Sequence, residues 1–370
     1  MILDLESVEC ASLGGAFLGG GGGGSMEEGK ALGRLALQAG NPRLAPLAEL
    51  ADDAAVLTVS AVGAPAAQEI HVEPADYVRA VEMLRSQGIS VDGLMTSENG
   101  GLATLNGWYQ SAVIGVPVVD AACNGRAHPM GTMGSIGLHR VKDYRSVQAA
   151  VGGHRQAGRY LELSVSGSLL SAGAVIRQAA VHAGGLVAVA RNPVSTRYAR
   201  EHAAVGAVSQ AMHIGKILRG APSCRDAVEA VFSYLDGGGV IAEGAVAAVE
   251  LKTVGGFDVG AVRVSAQGEI YRLAFLNEWM SIEKGEVRIA TFPDLIVAMD
   301  TQSRIPVTTA QVRGGTDVML LSVPAQNLKL GAGMRDPELY RALEEMTGKE
   351  IVRHVRGLFE PAGHFPDCTE

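Results

Sequence analysis

The amino-acid sequence predicts an α/β protein that begins with a mostly parallel sheet and continues into a β-rich, barrel- or sandwich-like subdomain. Strand-like and helix-like patterns alternate up to about residue 165, which is typical of a parallel α/β sheet. Short strand-like segments separated by glycine turns follow between residues 237 and 325. An apolar fraction of 47% with 19% charged residues indicates a compact globular chain, and 370 residues suffice for two domains.

The first part alternates helices and strands in a regular order. "LESVECASLGGAFLG" predicts a short amphipathic helix that runs into six consecutive glycines. "MEEGKALGRLALQAG" predicts the next helix, with Ser25 as its N-cap and acidic residues in its first turn. Three strands are then predicted in "AAVLTVSAVG", "VDGLMTSENGG" and "VPVVDAACNG", separated by the helices "PADYVRAVEMLRSQG" and "TLNGWYQSAVIG". We expect this part to form a domain of residues 1–165.

The second part, residues 166–370, starts with helices and then turns to strands. "LLSAGAVIRQAAVHAGG" and "TRYAREHAAVGAVSQAMHIGKILRG" predict helices. Between about residues 237 and 325, turns are predicted at Gly255-Gly256, Gln267-Gly268 and Lys284-Gly285. A closing helix is predicted in "DPELYRALEEMTGKEIVRHVRG", and residues 360–370 are expected to be frayed.

Charge and cysteine usage exclude several functional classes. The formal net charge is −8 and no block of Lys or Arg stands out, so nucleic acid and anionic membranes are poor partners. The sequence has no apolar run long enough to span a bilayer, and "MILDLESVEC" lacks the basic start of a signal peptide. Four cysteines are scattered without a CxxC pair, which favours a reducing cytoplasm.

The glycine run is the first candidate site. "GSMEEGKA" is close to a phosphate-binding P-loop, but Ala31 follows Lys30 where the motif requires Ser or Thr, and the loop carries two glutamates. A flexible linker is disfavoured because helical patterns flank the run closely on both sides. The remaining interpretation is a backbone-lined pocket at a helix start that holds an anion or an oxyanion. Its candidate substrate contacts are Gly21, Gly22, Gly23, Gly24 and Ser25.

Two strand ends carry the other candidates, because ligands of open α/β sheets bind at the carboxyl ends of strands. In "TSENGG", Glu98 is a candidate general acid or base beside Asn99, Gly100 and Gly101. The alternative is that this segment is only a turn or a helix cap.

The next strand end, "VVDAACNGRAHPMGTMGS", concentrates Asp120, Cys123, Asn124, Arg126 and His128 within nine residues. A thiol near a His and an Arg can be a nucleophile with its base, and the same residues with the preceding glutamate could hold a metal ion. The alternative is structural: the aspartate is a cap, the arginine forms a salt bridge with it, and the cysteine is a small buried apolar residue.

Acidic and amide side chains also interrupt the apolar sequences of the predicted strands in the second part. Asn277, Glu278 and Asp294 lie in "LAFLNEWMS" and "FPDLIVAMD", where burial is costly without a partner. They are either structural interface groups or substrate-binding groups that reach the site across a cleft.

The ordered motifs resemble the S-methyl-thiohydantoin desulfurase family. A glycine-rich run after a first helix is followed by "ENGG", "PVVDAACNGRAHP", "GGFDVG", "FLNE" and "FPDLI", and the resemblance extends from about Leu13 to Pro324. The chain departs from the family's pattern at Ala122, where a second acid is usual, and at His128, where an aromatic residue is usual. It also adds Cys123.

The resemblance implies a three-layer α/β/α domain with a mostly parallel sheet, plus a barrel-like second domain. It implies hydrolytic desulfurisation of a thiohydantoin with release of sulfide, and a thiohydantoin propionate from ergothioneine-type breakdown is a candidate substrate. On this hypothesis Cys123 is the nucleophile or contacts the sulfur, Asp120, Glu98 and His128 transfer protons, and Arg126 anchors the ring or a carboxylate arm.

Two other functions stay open at this point: hydrolysis of a hydantoin or another cyclic amide, and a non-catalytic role as partner of a hydantoinase- or oxoprolinase-type enzyme. We expect a small heterocyclic substrate and a homo-oligomer. We predict no cofactor, with one divalent metal ion as the alternative.

Overall fold

The computed structural model describes residues 1–359, and the predicted frayed end at 360–370, with Cys368, lies outside the described residues. Within residues 1–359 the chain forms nine α-helices and fifteen β-strands. The helices are α1 (Leu5–Gly19), α2 (Met26–Ala39), α3 (Pro74–Ser86), α4 (Trp108–Ile114), α5 (Leu169–His182), α6 (Thr196–His202), α7 (Ala207–Gly220), α8 (Cys224–Leu235) and α9 (Arg341–Thr347). The strands are β1 (Leu44–Ala45), β2 (Ala55–Gly63), β3 (Gly93–Glu98), β4 (Val118–Asn124), β5 (Ser146–Gly152), β6 (Leu161–Gly167), β7 (Leu186–Ser195), β8 (Ala204–Val205), β9 (Gly239–Val254), β10 (Phe257–Ala266), β11 (Glu269–Leu276), β12 (Glu278–Lys284), β13 (Val287–Thr291), β14 (Leu295–Asp300) and β15 (Asp317–Val323).

The first sheet confirms the α/β class but is mixed rather than mostly parallel. Its order is β1-β4-β3-β2-β7-β5-β6, with β8 beside β4. Strands β1 to β4 pair in parallel, whereas β5, β6, β7 and β8 pair antiparallel. The short connection between β5 and β6 explains part of the difference, because it cannot hold the crossover that a parallel pair requires.

Helices cover both faces of this sheet, so a helix–sheet–helix arrangement is present. On one face, Val81 and Leu84 of α3 pack in a buried cluster with Val59 of β2. On the other face, Ile176 of α5 packs against Val189 of β7. The two clusters draw on alternating residues of the strands, as the pleat of a sheet requires.

The second sheet is antiparallel throughout and curls into a half-barrel. Its order is β13-β12-β11-β10-β9-β15-β14, and glycine turns join its hairpins as predicted. The two ends of the sheet approach each other, since β12, near one edge, contacts β14 at the other edge. The inner surface of the curl is filled by apolar side chains such as Trp279 and Leu320.

The predicted boundary at residue 165 falls inside β6, and β7 lies beyond it in the first sheet. The division of the chain into two folding units at that point therefore stays a prediction.

The glycine run joins the two sheets. Helix α1 ends at Gly19 and is capped by Gly20, whose φ of 55° lies in the left-handed region. The carbonyls of Gly20 and Gly21 accept hydrogen bonds from Trp279 N and Thr309 N, both at 2.9 Å. The carbonyl of Gly23 accepts from two backbone N–H groups that follow β3, at 3.1 and 2.9 Å. The run is therefore a packed junction and not a linker.

A search of the described helices finds none that is both long enough and apolar enough to cross a membrane.

We predict that Gly23→Ala destabilises the protein more than Gly268→Ala. Both glycines have a positive φ, 74° and 79°, so both substitutions carry the strain of a left-handed alanine, about 1 kcal/mol. An added Cβ at Gly23 would lie 2.5 Å from Gly100 Cα, whereas nothing lies within 4 Å of one at Gly268. Urea unfolding should therefore show a further loss of about 2 kcal/mol at Gly23. Equal losses at the two positions would mean that the junction tolerates a side chain.

Candidate active site

A cavity of about 450 Å³ lies where the first sheet, helix α5 and the tip of the β9–β10 hairpin meet. Its walls are largely apolar, and backbone from the glycine run and from residues 128–132 completes them. The polar side chains that line it are Glu28, Ser97, Glu98, Asn106, His128, Thr132, Gln148, Arg177, Gln178, Arg191, Asn192, Asn277 and Glu278.

Glu98 and His128 form a pair at this cavity. Strand β3 ends at Glu98, and His128 follows the end of the neighbouring β4. His128 Nδ1 lies 2.9 Å from Glu98 Oε2, and the same oxygen accepts the His128 backbone N–H at 3.1 Å. Within residues 1–359, Glu98 Oε1 has no hydrogen-bond partner, so it remains available to a ligand.

Asn124 holds the imidazole of this pair. Its Nδ2 lies 3.3 Å from His128 Nδ1 and donates to Met133 O at 3.0 Å. Its Oδ1 accepts the Gly331 N–H at 3.1 Å. Asn124 is fully buried and does not line the cavity, although we expected it to contact the substrate.

Glu278 is the buried carboxyl group of the cavity. It is only 2% exposed, and Oε2 has no hydrogen-bond partner in the described part of the chain. Burial, followed by the charge of Glu98, raises the pKa of Glu278 well above its ordinary value. The two carboxyl groups thus differ in environment, because Glu98 pairs with a histidine, whereas Glu278 has no hydrogen-bond or ion-pair partner within residues 1–359.

Arg177 and Arg191 bring two guanidinium groups to the same cavity. Burial, together with the charge of Arg191, lowers the pKa of Arg177 to about 10, and burial lowers the pKa of Arg191 as well. Neither side chain forms an ion pair with a carboxylate within residues 1–359, and Arg191 is only 6% exposed. Buried guanidinium groups without such partners are costly, which marks this end of the cavity as a place for a ligand.

The sequence reasoning missed both arginines, and also Gln148 and Asn192. They belong to α5, β5 and β7, which carry no recognisable motif. One signal was present in "LVAVARNPVS", where Arg191 interrupts a run of apolar strand residues.

Cys123 does not line the cavity. Its side chain is fully buried in an apolar cluster with Val119 and Ile136, and its Sγ lies 3.4 Å from Thr58 Oγ1. Burial raises the pKa of the Cys123 thiol to about 11, so the nucleophilic thiolate is scarce at neutral pH. The arrangement does not support the nucleophilic role that we expected from the sequence.

Asp120 also lies away from the cavity. Its Oδ1 and Oδ2 accept the backbone N–H and the hydroxyl of Ser209, at 3.0 and 2.6 Å, in the first turn of α7. This is the capping alternative, and it follows from the pleat of β4, which turns Asp120 and Cys123 to opposite faces.

Arg126 ties the two sheets together instead of reaching a ligand. It is fully buried, its Nη1 donates to Pro293 O and Asp294 O at 3.0 and 2.6 Å, and its guanidinium lies 4.5 Å from the centroid of the Phe292 ring. Asp294 in turn accepts the Ala325 N–H at 2.8 Å. Neither residue lines the cavity, and the expected Arg126–Asp120 ion pair does not form because Asp120 caps α7.

Only the last two residues of the glycine run line the cavity. Gly23 and Gly24 line it, and their N–H groups have no hydrogen-bond partner within residues 1–359. A Cβ at Gly22 would lie 2.1 Å from Glu278 Oε1, and one at Gly21 would lie 2.6 Å from the Trp279 indole nitrogen. The hydroxyl of Ser25 is occupied as the N-cap of α2, where it accepts the Glu28 N–H.

The remaining predicted residues serve packing, with one exception. Asn99 donates to Gly125 O and Ala207 O and is fully buried. Gly100 packs against Gly23, and Gly101 packs against the start of α2. Asn277 is the exception: it lines the cavity, while its Oδ1 accepts the Asp258 N–H at 2.9 Å.

The described part of the chain has no set of side chains that would support the alternative of a bound metal ion. No group of three or more His, Cys, Asp or Glu side chains there could hold a metal ion. Glu98 and His128 approach each other only as a pair.

We predict that the Cys123 thiol resists alkylation in the folded protein. With a pKa of about 11 and no exposure, it should react with iodoacetamide at pH 8 at least tenfold more slowly than after denaturation. Peptide mapping by mass spectrometry provides the measurement. Rapid native labelling of Cys123 would restore it as a candidate nucleophile.

We predict that Glu278 makes stability depend on pH. Its folded-state pKa lies above the ordinary value of 4.5, so the unfolded chain releases this proton first as the pH rises. The stability that neutral Glu278 contributes is complete below about pH 4.5 and is lost as the pH rises through the raised pKa. In that pH window the free energy of unfolding of the wild-type protein should fall by up to about 1.4 kcal/mol per pH unit relative to that of Glu278→Gln. The measurement is the free energy of unfolding of both proteins at a series of pH values. The same pH dependence in the two proteins would contradict the prediction.

The comparisons with known proteins give the family and the fold of the chain. The S-Me-THD-like N-terminal domain matches residues 6–156, and the S-Me-THD-like C-terminal domain matches residues 169–331. A crystal structure of a protein from Chromobacterium violaceum has the same fold, with a TM-score of 0.71 and 20% sequence identity over 94% of this chain and 96% of that one. No curated protein matches the chain. The chain therefore belongs to the S-Me-THD-like family, the S-methyl-thiohydantoin desulfurase family that its motifs resemble.

Proposed function

We propose that the protein hydrolyses the thiocarbonyl group of a thiohydantoin ring, converting C=S to C=O and releasing sulfide. One observation carries the proposal: two carboxyl groups in contrasting environments, Glu98 and Glu278, face one cavity in an S-Me-THD-like chain. A pair of carboxyl groups whose surroundings separate their pKa values can divide the roles of base and acid.

Glu98 is the base in this mechanism. Its free Oε1 takes a proton from a water molecule while the water oxygen forms a bond to the thiocarbonyl carbon, and the π electrons of C=S move onto sulfur. His128 and its own backbone N–H hold the other carboxylate oxygen, so Glu98 keeps one orientation during the transfer. The product of this step is a tetrahedral adduct with a negative sulfur.

Glu278 is the acid. Its raised pKa keeps a proton on a buried carboxyl group, and that proton passes to sulfur as the C–S bond breaks. As the carbonyl forms, the adduct hydroxyl passes its proton to the Glu278 carboxylate, the C–S electron pair leaves with sulfur as HS⁻, and Glu98 returns to HS⁻ the proton that it took from water. Both hydrogens that leave with sulfur come from water in the net reaction, which is thiocarbonyl plus water giving carbonyl plus hydrogen sulfide.

Arg177 and Arg191 take over the anchoring role that the sequence suggested for Arg126. Guanidinium groups bind ring oxygens and carboxylates through paired hydrogen bonds. Because two of them meet in one cavity without carboxylate partners in the described chain, a ring that bears an acidic arm suits the site. A thiohydantoin propionate of the ergothioneine-breakdown type meets this requirement, and the unpaired N–H groups of Gly23 and Gly24 are available to the developing negative charge.

We predict sulfide release from a thiohydantoin propionate by the purified protein. Glu98→Gln and Glu278→Gln should each lower kcat/KM roughly 10²- to 10⁴-fold, the usual contribution of a positioned acid or base. Asp120→Asn makes the same chemical change outside the cavity and is the matched control, and Cys123→Ala should stay within a few-fold of wild type.

The oxygen analogue, a hydantoin propionate, separates the alternatives. Ring opening of that compound without sulfide release from the thiohydantoin would replace the proposal with cyclic-amide hydrolysis. Absence of turnover on both compounds, with a stable complex formed with a hydantoinase-type enzyme, would replace it with the non-catalytic role.

A further inference from the structure

The tip of the β9–β10 hairpin is the part of the second sheet that closes the cavity over α5. Two residues, Gly255 and Gly256, join the strands with φ of 59° and 79°, the conformation of a tight two-residue hairpin turn. Gly255 and Phe257 line the cavity, and Phe257 is half-buried there. The turn therefore brings backbone and an aromatic ring from one sheet against a site built mostly on the other.

Arg177 of α5 contacts this tip through its guanidinium group. Its Nη1 donates to Gly256 O at 2.8 Å, and its guanidinium carbon lies 4.0 Å from the centroid of the Phe257 ring. Nη1 also lies 3.5 Å from Gly63 O, and Nη2 donates to Pro129 O at 3.0 Å. Three carbonyls and one ring face orient the cation, and the contacts within residues 1–359 leave two of its five N–H groups for a ligand.

The tip itself is held in place by Asp258. This residue is fully buried; its Oδ2 accepts the Ala66 N–H at 2.7 Å and its Oδ1 accepts the Thr253 hydroxyl at 2.6 Å. Its backbone N–H and carbonyl bond to Asn277, at 2.9 and 2.8 Å. Phe257 is thus anchored through its neighbour to a loop of the first sheet and to the strand that precedes Glu278.

The backbone at Gly256 leaves no room for a side chain. An added Cβ would lie 2.8 Å from Arg177 Cδ and 3.3 Å from Cγ, in a backbone conformation that side chains rarely adopt. The close contact is possible only because the turn presents bare backbone to the arginine.

We propose that Phe257 is a positioning residue that acts through Arg177. The Phe257 ring and the Gly256 carbonyl fix the guanidinium so that its free N–H groups face the ring-binding part of the cavity. The inference rests on the proposed function in one respect, since Arg177 is assigned there to hold the substrate. It adds that the second sheet controls substrate affinity through this contact, while proton transfer is left to Glu98 and Glu278.

A double-mutant cycle tests the coupling. Phe257→Leu keeps apolar volume but removes the ring face, and it should lower kcat/KM for the thiohydantoin about 3- to 20-fold, mainly by raising KM. In an Arg177→Ala background the same substitution should change kcat/KM less than twofold. Phe257→Tyr retains the ring face and should restore most of the affinity. Equal losses in both backgrounds would overturn the proposal, because Phe257 would then act independently of Arg177.

Arginine-specific labelling tests the contact without any turnover. Treatment with phenylglyoxal, mapped by mass spectrometry, should modify Arg177 at least threefold faster in Phe257→Leu than in wild type. Phe232→Leu is the matched control, because Phe232 is also half-buried but lies on α8 and does not line the cavity. Unchanged Arg177 labelling in Phe257→Leu would overturn the proposal even if sulfide release is observed. Faster labelling in a protein that turns over no thiohydantoin would uphold the positioning role and reject only the proposed substrate.

Discussion

The junction between the two sheets depends on a stretch of backbone that carries no side chains. From Gly20 to Gly23 the chain leaves α1, passes between the half-barrel and the end of β3, and reaches the start of α2. Its carbonyls accept hydrogen bonds from Trp279 and Thr309 on one side and from the residues after β3 on the other. Added Cβ atoms would overlap Glu278 or Gly100 at 2.1 to 2.5 Å. The distance between the sheets, and hence the shape of the cavity, follows from this contact.

The same junction explains how two carboxyl groups, one from each sheet, line the same cavity. Glu278 begins β12 directly beside Gly22, and Glu98 ends β3 two residues before Gly100, which packs against Gly23. Burial then separates their behaviour, because the low-polarity surroundings of Glu278 favour its neutral form. Arg177 and Arg191 add positive charge that the described residues do not neutralise by ion pairing. Such an arrangement is unfavourable for stability alone and is typical of a binding or catalytic site.

Sequence reasoning selected several residues that line the cavity, although some of their sequence neighbours lie elsewhere. The rule that ligands bind at strand ends selected Glu98 and His128, and the strand-punctuating pair Asn277 and Glu278 also reaches the cavity. Proximity in sequence was a poor guide to roles within "VVDAACNGRAHP". Neighbouring residues on a strand face opposite sides of the sheet, so Cys123 is directed into an apolar cluster while the histidine beyond the strand end reaches the cavity.

By itself, the sequence determined the α/β class, the order of most helices and strands, the glycine turns of the second sheet and the family. Local periodicity, capping residues and ordered motifs predict these features, because such patterns do not depend on contacts between distant residues. Only the tertiary structure decided that the first sheet is mixed and that the glycine run is a junction. It alone brought Arg177 and Arg191 to the cavity beside Glu278. The physical reason is that strand pairing and burial are set by contacts between residues far apart in the chain, and the charge that a buried side chain carries follows from those contacts.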